Sequence, residues 1–412
     1  MATPITASAG ACPAQWTRTG LAIVALCFAI NMADGIDVTI LSFIAPRIQA
    51  DWAIGADTMG LLFGAGLVGM AIGGMGIAPL ADRLGRRRII LAALGLMSAG
   101  MVASGFAGSV AVLYGLRVVV GMGIGTVLAA MAALAAESAP AAQRNLAVGI
   151  VQAGYPFAAV FTALLTAHLL PLWGWHRLLL MAGGLTVVLF PAALLILPRA
   201  GAARTADGPA REPAGRIGDL LSPAFRARTL TLWAAVFCGL MVLYFIVSWI
   251  TKLSIAAGLS ETDGIYAGAL YNFGAFVGTA GMSMLAVRVP LGRLVPGMLV
   301  SAGVAMLVFG SLAMPVAATL ALAFLIGVTL QGGYNGVWPL AASVYPARMR
   351  ATGVGWAIGL GRAGAVIGPM MGGWLMAAKA PLPLLFAAYC LPLLACAAAA
   401  FAVDRMSRRV AE

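Results

Sequence analysis

Four ionisable side chains sit where the sequence is otherwise hydrocarbon. Asp34 and Asp37 lie in NMADGIDVTI, Arg117 in RVVVGMGIGTVL and Arg362 in GLGRAGAVIG. A carboxylate can take up and release a proton, and a guanidinium can hold a carboxylate through two parallel hydrogen bonds. Such groups set deep in apolar runs suit proton transfer coupled to the binding of an organic anion. On a helix, Asp34 and Asp37 stand about 60° apart within one turn, and Asn31 extends the same polar stripe. Each acid would cost a few kcal/mol if it faced lipid, so both are expected to face a central cavity, with at least one protonated for part of a cycle. Arg117, about a third of the way into its run, must likewise meet a cavity or an acid, either as a functional cation or as a structural ion pair. Arg362 lies roughly 18 Å along a helix from the start of its run, near the middle. It either binds a substrate carboxylate or balances Asp34 or Asp37; a proton on the acid would free it.

Long apolar helices must position these groups. The chain has 412 residues, of which 62% are hydrophobic and 9% charged, and its mean hydropathy is +1.01. A soluble chain carries about a quarter charged residues. Runs of about 20 apolar residues cross the hydrocarbon core as helices, and such helices tolerate Gly and Pro and use Gly for close packing. Twelve spans are expected, over 18–46, 57–81, 88–107, 110–136, 143–170, 176–198, 228–255, 262–287, 294–313, 316–342, 349–378 and 381–403. The fold class is therefore an all-α membrane protein. The polar stretch 199–227 reads as a linker between six-helix bundles over 1–198 and 228–412. With the N-terminus inside, 19 basic residues fall on the inner side and four on the outer, which places both termini in the cytoplasm. This bias explains the net charge of +12; no basic patch interleaved with aromatics suggests nucleic acid. The first segment lacks a cleavable signal pattern. The five cysteines have no metal or disulfide spacing and are taken as packing residues. His168 and His176 are not expected to form a ligand pair. No nucleophile–base pair, metal cluster or phosphate loop points to an enzyme, and no cofactor is expected beyond the proton as coupling ion.

The segment between spans 2 and 3 reads APLADRLGRRRII. Gly85 allows a tight turn, Asp82 can face a helix N-terminus, and Arg83, Arg86 and Arg87 can reach acids or lipid phosphates. This ordered run resembles the cytoplasmic signature of the major facilitator superfamily, with Ala78 where the family usually has Gly. The resemblance implies a gate. The matching place in the second half, LAVRVPLGRLVP, keeps Gly292 and Arg293 but has Val289 at the acid position, a degenerate repeat of the kind expected for parallel six-helix halves. Gly121, Gly123 and Gly125 after Arg117 are similar to a pattern associated with proton-coupled members. Glu137 and Arg144 flank the next inner turn, as part of the inner gate or as solvated helix-end charges.

The stretch from Leu330, LQGGYNGVWPLAASVYPARMRATGVGWAIGLGRAGAVIGPMMGGWL, resembles the aromatic acid:proton symporter family, as does Asp34-Gly35-Ile36-Asp37, in which Ile36 replaces an aromatic residue. The family resemblance implies proton-coupled uptake of an aromatic carboxylate such as a benzoate or hydroxybenzoate, in a bacterial-type cytoplasmic (inner) membrane, by a carrier working as a monomer. Asp34 and Asp37 are the candidate proton-coupling groups, Arg362 and Arg117 the candidate carboxylate ligands. Gln152, Tyr155, Tyr244, Trp249, Tyr271, Asn272, Gln331, Tyr334, Asn335 and Trp338 are candidate cavity walls, since aromatic and amide groups suit a substituted phenyl ring. The glycines around Gly364, Gly368 and Gly372 read as close packing. A symporter for another organic anion, an efflux carrier of the same fold and a non-transporting membrane sensor are the alternative readings.

Overall fold

A computed structural model of the chain describes residues 15–140, 143–198, 217–223 and 225–411. Most of the expected linker, 199–216, lies outside the described residues, as do the side chains of Asp82 and Arg83. The described residues form helices and connecting turns. We number the long helices α1 (Arg18–Asp51), α2 (Ala56–Ile72), α3 (Arg86–Ser104), α4 (Val110–Ser138), α5 (144–173), α6 (175–196), α7 (Arg226–Ala256), α8 (Glu261–Leu285), α9 (Leu291–Ser311), α10 (Val316–Asn335), α11 (Ala347–Ala377) and α12 (Leu382–Ala411). Nine helices among the described residues are long and apolar enough to cross a membrane, the 146–196 run counting as one of them; Glu261–Leu285 and Ala347–Ala377 are not in that set.

Local chemistry sets the ends. Thr17 caps α1 by accepting from the Gly20 N–H at 2.9 Å, and Ser260 caps α8 by accepting from the Asp263 N–H at 3.1 Å. Such caps satisfy N–H groups that have no partner inside the helix. The first helix outruns the expected stop at 46: Pro46 lies inside it and the helix continues to Asp51, as apolar helices in a packed bundle can. Between α5 and α6 the break falls at Gly174, whose φ of 70° and ψ of 169° end the helical path. The end of α2 loosens through a π turn at Gly73–Ile77 and a 3-10 turn at Ala78–Leu80. Gly85 then turns the chain at φ 93°, a left-handed conformation that costs glycine least.

In packing, α1 lies along the 144–196 segment, and α4 lies between α2 and α3. The α2–α4 seam is a backbone contact. A Cβ on Gly121 would fall 2.0 Å from the Gly66 carbonyl oxygen, and one on Gly69 2.1 Å from that of Val118. In the later part, α7 packs on α11, α8 on α10 and α9 on α12. Polar contacts that cross from residues 18–196 to residues 226–411 gather toward the end that holds Arg47. Arg47 of α1 pairs with Glu261 of α8 at 2.7 Å. Lys252 of α7 donates to Gln49 of α1, and Ser42 Oγ donates to the Ser248 carbonyl at 2.8 Å. Trp249 is fully buried there, edge-on to Phe63.

Candidate functional site: a central cavity and a buried ion pair

A cavity of about 480 Å³ opens between α1, α5, α7, α8, α10 and α11. This size is that of a small-molecule site. Asn31 and Asp34 of α1 line it, together with Gln152 and Tyr155 of α5 and Tyr244 of α7. Tyr271 and Asn272 come from α8, Gln331, Tyr334 and Asn335 from α10, and Arg362 from α11. Apolar wall comes from Leu240, Leu243, Val247 and Phe276. Several polar atoms on these walls are uncommitted: one Asp34 carboxylate oxygen and the hydroxyls of Tyr271 and Tyr334 are buried without a protein partner. Arg362 stands within electrostatic range of Asp34 and of the Tyr244 hydroxyl, and its Nη1 lies 3.8 Å from the Met70 sulfur.

The two acids of α1 part company. Asp37 faces a separate void of about 30 Å³, lined also by Arg117, Leu62, Phe63 and Ser248. There Arg117 Nη1 donates to Asp37 Oδ1 at 2.6 Å, and Arg117 Nη2 donates to Ser104 Oγ at 3.0 Å. Ser104 in turn donates to the Gly100 carbonyl at 2.7 Å. Met70 and Tyr244 line both spaces, so they form the wall between the cavity and the ion pair. The expectation that both acids face one cavity is corrected: turning 300° about a helix brings different neighbours to each.

Most of the remaining expected wall residues come together, and two tryptophans do not. Trp249 spends its indole N–H on the Pro369 carbonyl at 2.9 Å. Trp338 lies edge-on to Tyr334 outside the cavity lining, with ring centroids 5.7 Å apart. Thr279 and Ser283 line the cavity without having been expected. Their spacing signals it, since 272, 276, 279 and 283 follow one helical face.

At the opposite end from Arg47, the basic segment is tied within residues 15–196. Arg86 pairs with Glu137 at 2.6 Å, and Arg87 donates to the Leu194 carbonyl at 2.7 Å. Arg144 begins the next helix. In the second half, where Val289 replaces the acid, Asp404 of α12 presses against Gly292 so closely that a Cβ there would meet its carboxylate. An acid still reaches that turn, brought by another helix.

The Major Facilitator Superfamily profile matches residues 25–369. The 4-hydroxybenzoate transporter PcaK of Pseudomonas aeruginosa is 31% identical over 393 residues, covering 88% of this chain and 87% of that protein. The gallate transporter of Pseudomonas putida is 30% identical over 407 residues, covering 92% and 91%. In fold, the chain matches a bacterial homolog of the human lysosomal transporter Spinster, crystallised inward-facing and unoccupied, with a TM-score of 0.79 at 18% identity over 95% of this chain and 98% of that one. These likenesses agree with the carrier reading of the motifs and with its exclusion of an enzyme. The chain is a multi-pass membrane transporter and belongs to the Major Facilitator Superfamily.

Proposed function

We propose that the chain takes up an aromatic carboxylate, such as a benzoate or hydroxybenzoate, together with a proton, by alternating access. Twelve spans in two six-helix bundles, 1–198 and 228–412, work as a monomer in a bacterial inner membrane, with both termini and the linker 199–227 in the cytoplasm. One observation carries this reading: Asp34, with an unpartnered buried oxygen, and Arg362 line the same cavity among tyrosine and amide side chains. Arg362 receives the substrate carboxylate in a bidentate grip. A proton on Asp34 removes the negative charge that competes for the guanidinium. Anion and proton therefore favour each other's binding, and the pair crosses without net charge. The tyrosines offer ring faces to the substrate ring. Asp37 contributes through its pair with Arg117, behind Met70 and Tyr244.

The contacts drawn together around Arg47 and Glu261 close the outer side. The inner gate is the segment with Asp82, Arg83, Gly85, Arg86 and Arg87, working against Glu137 and Arg144. The test is uptake of labelled 4-hydroxybenzoate by proteoliposomes under an imposed inward proton gradient. The wild type should accumulate it. Asp34→Asn should exchange it across the membrane without accumulating it. Concentrative uptake by Asp34→Asn at the wild-type level removes the coupling role. Net outward flux would assign an efflux carrier, and binding in detergent without any flux would assign a sensor.

A further inference from the structure

Three asparagines on three helices line the cavity, and each has its amide nitrogen committed elsewhere. Asn31 Nδ2 donates to the Val151 carbonyl at 2.7 Å. Asn272 Nδ2 donates to the Gly268 carbonyl at 2.9 Å. Asn335 Nδ2 donates to Thr279 Oγ1 at 2.7 Å. The orientation of each amide follows from chemistry. A backbone carbonyl can only accept, so Asn31 and Asn272 must turn their NH₂ toward it. Thr279 has already given its proton to the Ala275 carbonyl at 2.8 Å, so it too can only accept. Each NH₂ keeps a second N–H, but fixing its first one fixes the amide's orientation, and Oδ1 is then a set acceptor that cannot donate.

The same wall supplies the complement. The dipeptide Tyr-Asn occurs in α8 as Tyr271-Asn272 and in α10 as Tyr334-Asn335, and both tyrosine hydroxyls are buried without a protein partner. A ring hydroxyl on a substrate is a donor and an acceptor at once. It can give its proton to an asparagine oxygen and accept one from a tyrosine. A methyl group of about the same size can do neither.

We infer that Asn31, Asn272 and Asn335 are specificity-determining residues that read ring hydroxyls as hydrogen-bond donors on an aromatic acid whose carboxylate faces Arg362. This rests on the proposed aromatic-acid transport and deepens it. A site whose acceptors are fixed discriminates strongly against an analogue without the donor, because the buried acceptor is then left unsatisfied.

The experiment is counterflow of labelled 4-hydroxybenzoate in proteoliposomes of the full chain, with no proton gradient. Unlabelled 3- and 4-hydroxybenzoate compete against 3- and 4-methylbenzoate and benzoate. In the wild type, at least one hydroxy acid should compete about tenfold or more better than its methyl isostere. In Asn272→Ala and Asn335→Ala that ratio should fall several-fold, with the hydroxy acids losing more competition than benzoate does. Thr279→Val, which frees the Asn335 amide to rotate, should lower the ratio too and stands in for an alanine variant that does not fold. Equal competition by hydroxy and methyl acids in the wild type overturns the inference while leaving aromatic-acid transport intact. So does an equal weakening of benzoate and hydroxy acids in the variants, which would make the asparagines merely structural. Absence of any aromatic-acid counterflow overturns the underlying function as well.

Discussion

Replacing Asp37 by Asn is expected to harm the fold far more than replacing Asp34 by Asn, although the two lie three residues apart and are equally buried. Asp37 accepts from Arg117 at 2.6 Å, and the two side chains are only 8% and 2% exposed. With Asp37 as an amide, the guanidinium can still donate to the amide oxygen and to the Ser104 hydroxyl at 3.0 Å, but it loses its only counter-charge seen among the described contacts, and its Nε already has no partner. Breaking a buried pair from one side costs about 3–5 kcal/mol. Asp34 has an oxygen that no protein group satisfies, so its amide forfeits no such pair, and the change should stay within about 1 kcal/mol. The measurement is the apparent melting temperature of purified full-length variants in one detergent at one scan rate. Asp37→Asn should melt several degrees below the wild type and Asp34→Asn close to it. Combining Asp37→Leu with Arg117→Met should recover most of the loss, because well-packed apolar groups can replace a buried ion pair. Equal melting of the two Asn variants, or a double variant that merely adds the losses of its two parts, would refute the reasoning.

Arg362→Lys should raise the half-saturation for counterflow of 4-hydroxybenzoate by about tenfold or more, since an ammonium lacks the two-pronged geometry; unchanged half-saturation would remove Arg362 from carboxylate binding. Gly121→Ala should lower the yield of monodisperse protein in detergent, because its Cβ would fall 2.0 Å from a backbone oxygen, whereas Gly115→Ala meets no atom within 4 Å and should leave the yield unchanged.

The all-helical membrane class was legible in the sequence, because apolar run length reports directly on lipid. The ends were less so. The first helix runs on past Pro46 because neighbours in the bundle support it, and neighbours are invisible in a linear pattern. Within the site, the burial of Asp34, Asp37 and Arg117 could be read from the apolar runs around them. Which acid meets which cation could not be read, since that depends on α4 bringing Arg117 to Asp37 and on Met70 and Tyr244 filling the space between. Residue type alone also overstated the tryptophans: Trp249 looks like a ring for stacking but has its N–H bound to Pro369. Thr279 hides for the opposite reason. A threonine that bonds back to its own helix looks ordinary until its second contact, to Asn335, is seen.

The glycine seam between α2 and α4 has a mechanical consequence. Where Gly66 meets Gly121 and Gly69 meets Val118, backbone lies on backbone. Such a joint has few rotamers to reshuffle and little slack to take up. The two helices act as one stiff plank, which carries Met70 and Arg117 along its length and leads into the Gly85 turn at one end. Met70 on one helix and Arg117 on the other are held in one register by it, so the wall of the cavity and the ion pair behind it are fixed to each other.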